Sequence, residues 1–323
     1  MMTETKKINQ VSAKEKWVSY LHHPMALVEF LLVHLAAIIT AAVVLFLIAY
    51  VLITGVPHIH KELFAWPWTT ENQSMMPAFV NTLVMTLLSL LIAVPIGVCA
   101  AIYTVEYAKR GNKLVKLVRL TAETLQGIPS IVYGIFGYVF FNVALHFGFS
   151  MLSGALTLSI MILPLILRTT EEALMAVPDS YREGSFGLGA GKLRTVFRIV
   201  LPSAMPGVLA GVILAVGRIV GESAALIYTS GSGTGNLSFI KNGAFSLTAP
   251  LLQSTRTLSV HMYALMSEGL YTDQAHATAV ILMVLVIGIL MKVCTKLFET
   301  MQTKIDNLNN TLQENLVAIR VVK

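Results

Sequence analysis

Two charged residues, Arg218 and Glu222, stand in the otherwise apolar run GRIVGESAALIYTSG. An arginine near the centre of a membrane helix costs at least about 2.5–3.5 kcal/mol, so residues of this kind are usually functional. The apolar segment that carries the pair begins near residue 203. At about 1.5 Å per residue, Arg218 falls near the bilayer midplane or slightly beyond it. Four positions apart, the two side chains share a helix face and can partly neutralise each other. Gly217 and Gly221 are also four apart, which lets a neighbouring helix come close. Two chemistries are open. The pair can lock helix packing, or Arg218 can attract an anion in transit while Glu222 limits how tightly it is held, with Ser223 beside them on the path. Arginine suits tetrahedral oxyanions because its planar fork donates two parallel hydrogen bonds.

A second apolar run, LQGIPSIVYGIFG (125–137), is interrupted by Pro129, Ser130 and Tyr133. A proline frees a backbone carbonyl, which Ser130 can satisfy unless it offers its donor to the path instead. A kink and a lining role are both open. Glu123 and Gln126 read as interfacial, and His34 as facing a partner helix or the interface. His58 and His60 are two apart, which allows metal chelation, but a solvated loop accounts for them. GSGTG (231–235) resembles a phosphate-cradling loop in composition only, without Walker lysine spacing. Cys99 and Cys294 lie in apolar runs without metal-ligand spacing and read as small buried hydrophobes. With no nucleophile–base pairing and no metal cluster, the chain is expected not to be an enzyme and to hold no cofactor.

Elements must position these residues. The chain is 55% hydrophobic and only 12% charged, about half the roughly 25% of soluble domains, with a mean hydropathy of +0.73. That composition is an integral membrane protein's. A hydrocarbon core of about 30 Å takes roughly 20 apolar residues as a helix, and six segments qualify: about 29–53, 79–105, 118–147, 151–168, 203–228 and 277–298. All must be helices, because lipid offers backbone groups no partner and strict strand alternation is missing. Nineteen of the 23 Lys and Arg fall in segment 1–28, loop 106–119, region 168–198 and the C-terminal tail. Lys61, Lys241 and Arg256 lie opposite, and Arg218 within a helix. This split predicts both termini in the cytoplasm. The net charge of +6 is thereby a topology signal, with no nucleic acid partner required. The expected organisation is a cytoplasmic segment 1–28, a transmembrane domain 29–298 and a cytoplasmic tail 299–323. In that tail Ile305, Leu308, Leu312, Leu316 and Ile319 suggest an amphipathic helix on lipid or a partner, with a frayed tail as the alternative.

Between the fourth and fifth spans lies a cytoplasmic loop, 169–202, containing EGSFGLGAGKLRTVFRIVLP. Ser180-Tyr181-Arg182-Glu183 matches a capping box after the helix-breaking Val177-Pro178. A short helix is expected to about Leu188, ended by Gly189 in the left-handed region. A second is expected from about Lys192 to Val200, reaching Pro202 as a first-turn proline of the fifth span. Phe186, Leu188, Val196 and Phe197 would fill a partner's groove, with Arg182, Lys192 and Arg194 on its rim.

Glu183-Gly184-Ser185, then Gly189 after three residues, then Ile199, Leu201 and Pro202 after nine more, resembles the EAA-x3-G-x9-I-x-L-P signature of ABC-importer permeases. The resemblance implies a MetI-like all-α permease core of about six helices. Its loop is a coupling helix inserted into a cytoplasmic ATPase subunit, which binds the ATP and magnesium. Gly184-Ser185 departs from the usual two alanines; the residues stay small, and glycine lowers helix propensity by up to about 1 kcal/mol.

GRIVGESAALIYTSG, LQGIPSIVYGIFG and LPSAMPGVLAGVILAVGR (201–218) are further similar to the PstA-type permeases of phosphate ABC importers, over about residues 75–298. AALIYTSG and RTLSVHMY (256–263) favour that type over its PstC sister, although Ser259 stands where the family has proline. This resemblance implies phosphate as cargo and a bacterial plasma membrane. It also implies a PstC-like second permease, a PstB-like ATPase dimer and a PstS-like binding protein outside. The alternatives are another oxyanion, molybdate or sulfate, or an ion-coupled secondary transporter. No internal repeat supports the last.

Overall fold

The structure, a computed structural model, describes residues 24–66, 68–109, 111–234, 240–241, 244–245, 249–288 and 291, 292, 295 and 299. The N-terminal lysines, Arg110, Cys294 and the expected amphipathic tail lie outside the described residues. The chain divides into two compact units, residues 1–54 and 55–323.

The first unit is α1 (Pro24–Gly55), apart from its last residue. Its 32 residues span about 48 Å at about 1.5 Å each, longer than the expected 29–53. It is apolar and exposed on every face, an arrangement suited to lipid and not to water. His34 lies within 2.8 Å of the Phe30 carbonyl, one turn back on its own helix.

The second unit is built on α2 (Met76–Ile102, continued by a π turn at Tyr103–Tyr107) and α5 (Met151–Met175). Third comes a rod made of α7 (Lys192–Thr195), a π turn (Val196–Val200) and α8 (Leu201–Val220). Helix α5 is the most buried span, gripped by α2 on one side and α8 on the other. Close approach comes from small residues. A Cβ on Gly97 would stand 2.8 Å from an Ile166 methyl, and one on Gly211 would collide with Thr169. Between α2 and α5, Ser159 donates to the Ser89 carbonyl (3.1 Å) and Ser89 to the Ala155 carbonyl (3.3 Å). One core gathers Met85, Leu158, Ile162, Ile219 and Leu226, and a second, nearer the loop, gathers Leu167, Leu174, Val196 and Val200.

Two expected spans are broken. In place of one helix over 118–147 stand α3 (Lys113–Gln126) and α4 (Ser130–Gly137, continued by a π turn to Ala144), at 104° to each other. Pro129 has no N–H to extend α3 and disfavours helical geometry in the residue before it, so the chain turns at Gly127–Pro129. The expected helix over 203–228 stops at Val220 and restarts as α9 (Ala224–Thr229). Helix α6 (Asp179–Gly187) stands between α5 and α7. A two-stranded ladder, β1 (Ile240–Lys241) with β2 (Ala244–Phe245), precedes α10 (Leu258–Glu268), in the stretch between the expected spans 203–228 and 277–298. The last apolar helix, α11, begins at Thr272, five residues before the expected start, and is described to Gly288. Among the described residues four helices are long and apolar enough to cross a membrane, or five if α3 and α4 form one broken span.

Candidate functional site

The expected Arg218–Glu222 pair does not form. Four-residue spacing brings side chains together only on a continuous helix. Here α8 ends at Val220, Gly221 caps it, and Ser223 has left helical geometry before α9 begins. Glu222, buried, instead accepts from the Ala225 N–H at 3.0 Å and so caps α9, for which Ser223 is the N-cap residue. Among the described residues no carboxylate lies within ion-pair distance of Arg218. The half-buried Arg218 is thus an uncompensated cation at the end of α8, beside the break, its charge reaching the Tyr133 phenol.

Tyr133 itself is buried, and its hydroxyl donates to the Leu125 carbonyl at 2.8 Å across the α3–α4 break. It therefore braces the bend and has no free donor to line a path. Ser130, half-buried, opens α4. Gln126 donates to the Pro164 carbonyl of α5 at 3.1 Å, and Glu123 lies 3.8 Å from Arg168. The helices that follow the two breaks, α4 and α9, pack against each other. A Cβ on Gly134 would stand 2.8 Å from the Ala225 Cα, and one on Gly137 would strike Thr157 and Thr229. The expected close approach at Gly217 and Gly221 is not found: Gly217 has nothing within 4 Å of a built Cβ, and Gly221 only the Gly217 carbonyl.

Sequence reading missed what holds the break in place. Ser259, buried in α10, donates to the Glu222 carbonyl at 2.7 Å, and the N–H of its neighbour Leu258 donates to the Thr82 hydroxyl oxygen at 2.8 Å. The Asn142 amide donates to the Thr229 carbonyl at 3.1 Å and closes the far end of α9. Arg256, 6% exposed, lies over the Trp68 ring at 5.4 Å; burial lowers its pKa to about 10 against the raising effect of Glu268. His261 is fully buried. Burial first, then the Arg256 charge, push it down to about 3, against the opposing contact of the Gln73 backbone. His58 is 3.6 Å from Asp273.

At the other end of the α7–α8 rod stands the loop motif. Helix α6 starts at Asp179, with Pro178 as its N-cap and no side-chain cap, so the Ser180–Glu183 box is not formed. Gly189 has φ +79°, as expected of the residue that ends such a helix. Ser185 is buried and shares a 2.8 Å hydrogen bond with Thr195, joining α6 to α7. The expected second short helix is continuous with α8. Pro202 has no N–H and crowds the carbonyl four residues back, and the wider π turn at Val196–Val200 falls where that conflict arises. Ile199, Leu201 and Pro202 are half-buried there.

Glu183 and Gly184 are exposed, and a Cβ on Gly184 would meet nothing within 4 Å, so small size at that position serves no contact among the described residues. Leu188 is 91% exposed, and Phe186, Leu193 and Phe197 are exposed with it. Val196, expected on that surface, is instead in the core at 1% exposure, and Leu193 takes its place. Arg182 is likewise not on the rim: it is drawn in to Glu106 at 2.7 Å. Lys192 lies over the Tyr107 ring, and Arg194 is exposed. The sequence signal for Glu106 was its place at the end of an apolar run, too weak to name its partner.

Comparison with known proteins matches residues 93–303 to the family described as binding-protein-dependent transport system inner membrane component. A probable ABC transporter permease protein, YqgI, of Bacillus subtilis (strain 168) is 34% identical over 247 residues, 74% of this chain and 82% of that one. The phosphate transport system permease protein PstA 1 of Mycobacterium tuberculosis (strain CDC 1551 / Oshkosh) is 36% identical over 173 residues, 51% of this chain and 56% of that one. The corresponding PstA of Pasteurella multocida (strain Pm70) is 37% identical over 187 residues, covering 57% and 66%. Among solved structures, a bacterial alginate ABC transporter in complex with alginate pentasaccharide-bound periplasmic protein superposes at a TM-score of 0.58, with 17% identity over 86% of this chain and 95% of that one. An inward-facing MetNI methionine ABC transporter gives 0.52 with 19% identity, covering 70% and 93%. These two likenesses establish the fold.

Proposed function

The chain belongs to the family of binding-protein-dependent transport system inner membrane components, an all-α multi-pass permease, and from that premise we propose that it is the PstA-type permease subunit of an ATP-driven phosphate importer. The observation that carries the proposal is the uninterrupted helix Lys192–Val220, which joins the loop motif to Arg218. Over the 26 residue-to-residue steps from Lys192 to Arg218 this rod is about 39 Å long. Its loop end presents Leu188, Leu193 and Phe197 to a partner, and its other end presents a cation unmatched by any carboxylate among the described residues. The relatives called PstA support phosphate as the cargo.

In this reading ATP and magnesium bind to a separate PstB-like ATPase dimer, whose closure moves the Glu183–Pro202 loop. The rod carries that movement to Arg218. Its guanidinium suits an oxyanion through paired hydrogen bonds, while Glu222, turned away to cap α9, does not compete for it. A PstC-like permease supplies the other half of the path, and a PstS-like binding protein delivers phosphate from outside. The loop and both termini are then cytoplasmic, in the plasma membrane of a bacterium.

The test is radiolabelled phosphate uptake in cells lacking their own copy of this subunit, with molybdate and sulfate as competitors. The wild-type chain is expected to restore uptake, and a normally inserted Arg218→Gln to lose it. Uptake suppressed by molybdate or sulfate more strongly than by unlabelled phosphate would overturn the cargo. Full rescue by Arg218→Gln would reduce the arginine to packing.

A further inference from the structure

Apolar packing attaches α6 only weakly to the rest of the molecule. Of its nine residues only Ser185 is buried, and a Cβ on Gly184 or Gly187 would meet nothing within 4 Å. Its main neighbours are α7 and the π turn that follows. Arg182 is the exception. Its side chain is 15% exposed and all five of its N–H donors are engaged. Nε and Nη2 hold Glu106 Oε1 at 3.1 and 2.7 Å, and Nη2 also reaches the Leu174 carbonyl at 2.9 Å. Nη1 takes the Val177 carbonyl at 2.8 Å and Asp179 Oδ1 at 3.1 Å. The Leu174 carbonyl belongs to the last turn of α5, which has no in-helix donors, and the Val177 carbonyl to the turn just beyond it. Glu106, with its side chain 8% exposed, sits in the π turn that closes α2.

We infer that Arg182 is the positioning residue that makes α2 follow α6, through its buried ion pair with Glu106. The inference rests on the reading of α6 as the element that engages the ATPase. Separating a buried guanidinium from its carboxylate would leave two charges uncompensated, so the pair moves as one body. The same turn of α2 passes the displacement on. Thr104 donates to the buried Glu171 of α5, and Arg119 of α3 holds both Glu171 oxygens at 3.2 Å. α3 leads directly into the bend at Gly127–Pro129, and the helix after that bend, α4, packs on α9. Movement of α6 therefore has two routes to the candidate path, the α7–α8 rod and this chain of charges.

The test uses the full transporter reconstituted with its second permease, ATPase and binding protein, on a Cys99→Ser/Cys294→Ser background. A nitroxide at Tyr103→Cys, an exposed position on the same turn, reports on α2. ATP is expected to change its spectrum in the parent. Glu106→Gln, which leaves Arg182 its carbonyl acceptors and Asp179, is expected to abolish that change while assembly and basal ATP hydrolysis persist. Phosphate imported per ATP should fall about tenfold, within the usual range for coupling between sites. The Glu106→Gln/Arg182→Gln double variant should be no worse than either single, because both remove one link. If Glu106→Gln fails to assemble, Arg182→Lys, which keeps a charge facing Glu106, must retain the signal. An ATP-dependent signal that survives Glu106→Gln, losses that add in the double variant, or a silent Arg182→Lys would overturn the inference. A parent that gives the signal but imports no phosphate would sink the cargo reading and leave the joint standing.

Discussion

The Ser259 hydroxyl donates a 2.7 Å hydrogen bond to the Glu222 carbonyl, tying α10 to the gap between α8 and α9. The carbonyl sits where no helix supplies a donor, and Ser259 is 1% exposed, so water cannot replace it. Ser259→Ala should cost about 1–3 kcal/mol, the penalty for a buried acceptor left unsatisfied. A lower unfolding temperature of the purified protein would register it, with Ser259→Thr near wild type. An unchanged Ser259→Ala would mean that the break is held by other contacts.

The glycines divide sharply. A Cβ on Gly134 would stand 2.8 Å from the Ala225 Cα, a backbone atom that cannot step aside. Gly134→Val should cost about 1–3 kcal/mol as overpacking and separate α4 from α9. Gly217 meets nothing within 4 Å and lies inside α8, so Gly217→Ala should be neutral or stabilise by up to about 1 kcal/mol. Expression yield and thermal stability of the two variants would check the pair. Equal behaviour would contradict the packing.

This contrast marks how far the sequence was legible. Apolar length located α1, α2 and α5, because a bilayer imposes that length directly, but it hid the breaks at Gly127–Pro129 and after Val220. The loop could be read because a left-handed Gly189 and Pro202 act locally. Four-residue spacing misled at Gly217, Gly221, Arg218 and Glu222, since the spacing rule holds only while the helix continues. Nothing local announces that α8 stops at Val220: that stop depends on Ser259 and Glu222, 37 positions apart. Arg182 and Val196 were misplaced for a similar reason. Which face of a short helix is buried is decided by a distant partner, here Glu106 for the first and the Leu174 cluster for the second.

Leu188 and Val196 give a paired test of the loop. Leu188 is 91% exposed, so Leu188→Ser should change stability by no more than about 0.5 kcal/mol. If it fills a partner's groove, losing it should weaken ATPase association by about 1.5–3 kcal/mol. Val196→Ser should do the reverse, destabilising the permease from within its core. Co-purification of the ATPase at graded salt, alongside thermal unfolding, separates the two effects. Undiminished ATPase capture by Leu188→Ser would count against α6 as the docking element.

His261 predicts a dependence on pH. Burial and the neighbouring Arg256 charge hold its native pKa at about 3, whereas in the unfolded chain it titrates near its ordinary 6.5. Between those values the unfolded chain binds a proton that the native protein refuses. Stability is therefore full above about pH 6.5 and falls on acidification towards pH 3, by at most about 1.4 kcal/mol per pH unit from this group. Unfolding temperatures of the wild type and His261→Gln, measured from pH 7.5 to 5, should diverge: the wild type loses stability across that interval and the variant keeps a flatter profile. Arg256→Gln removes only the smaller of the two causes and leaves the burial in place, so its profile over the same interval should still fall as the wild type's does. Parallel profiles for all three proteins would mean that His261 is not held neutral.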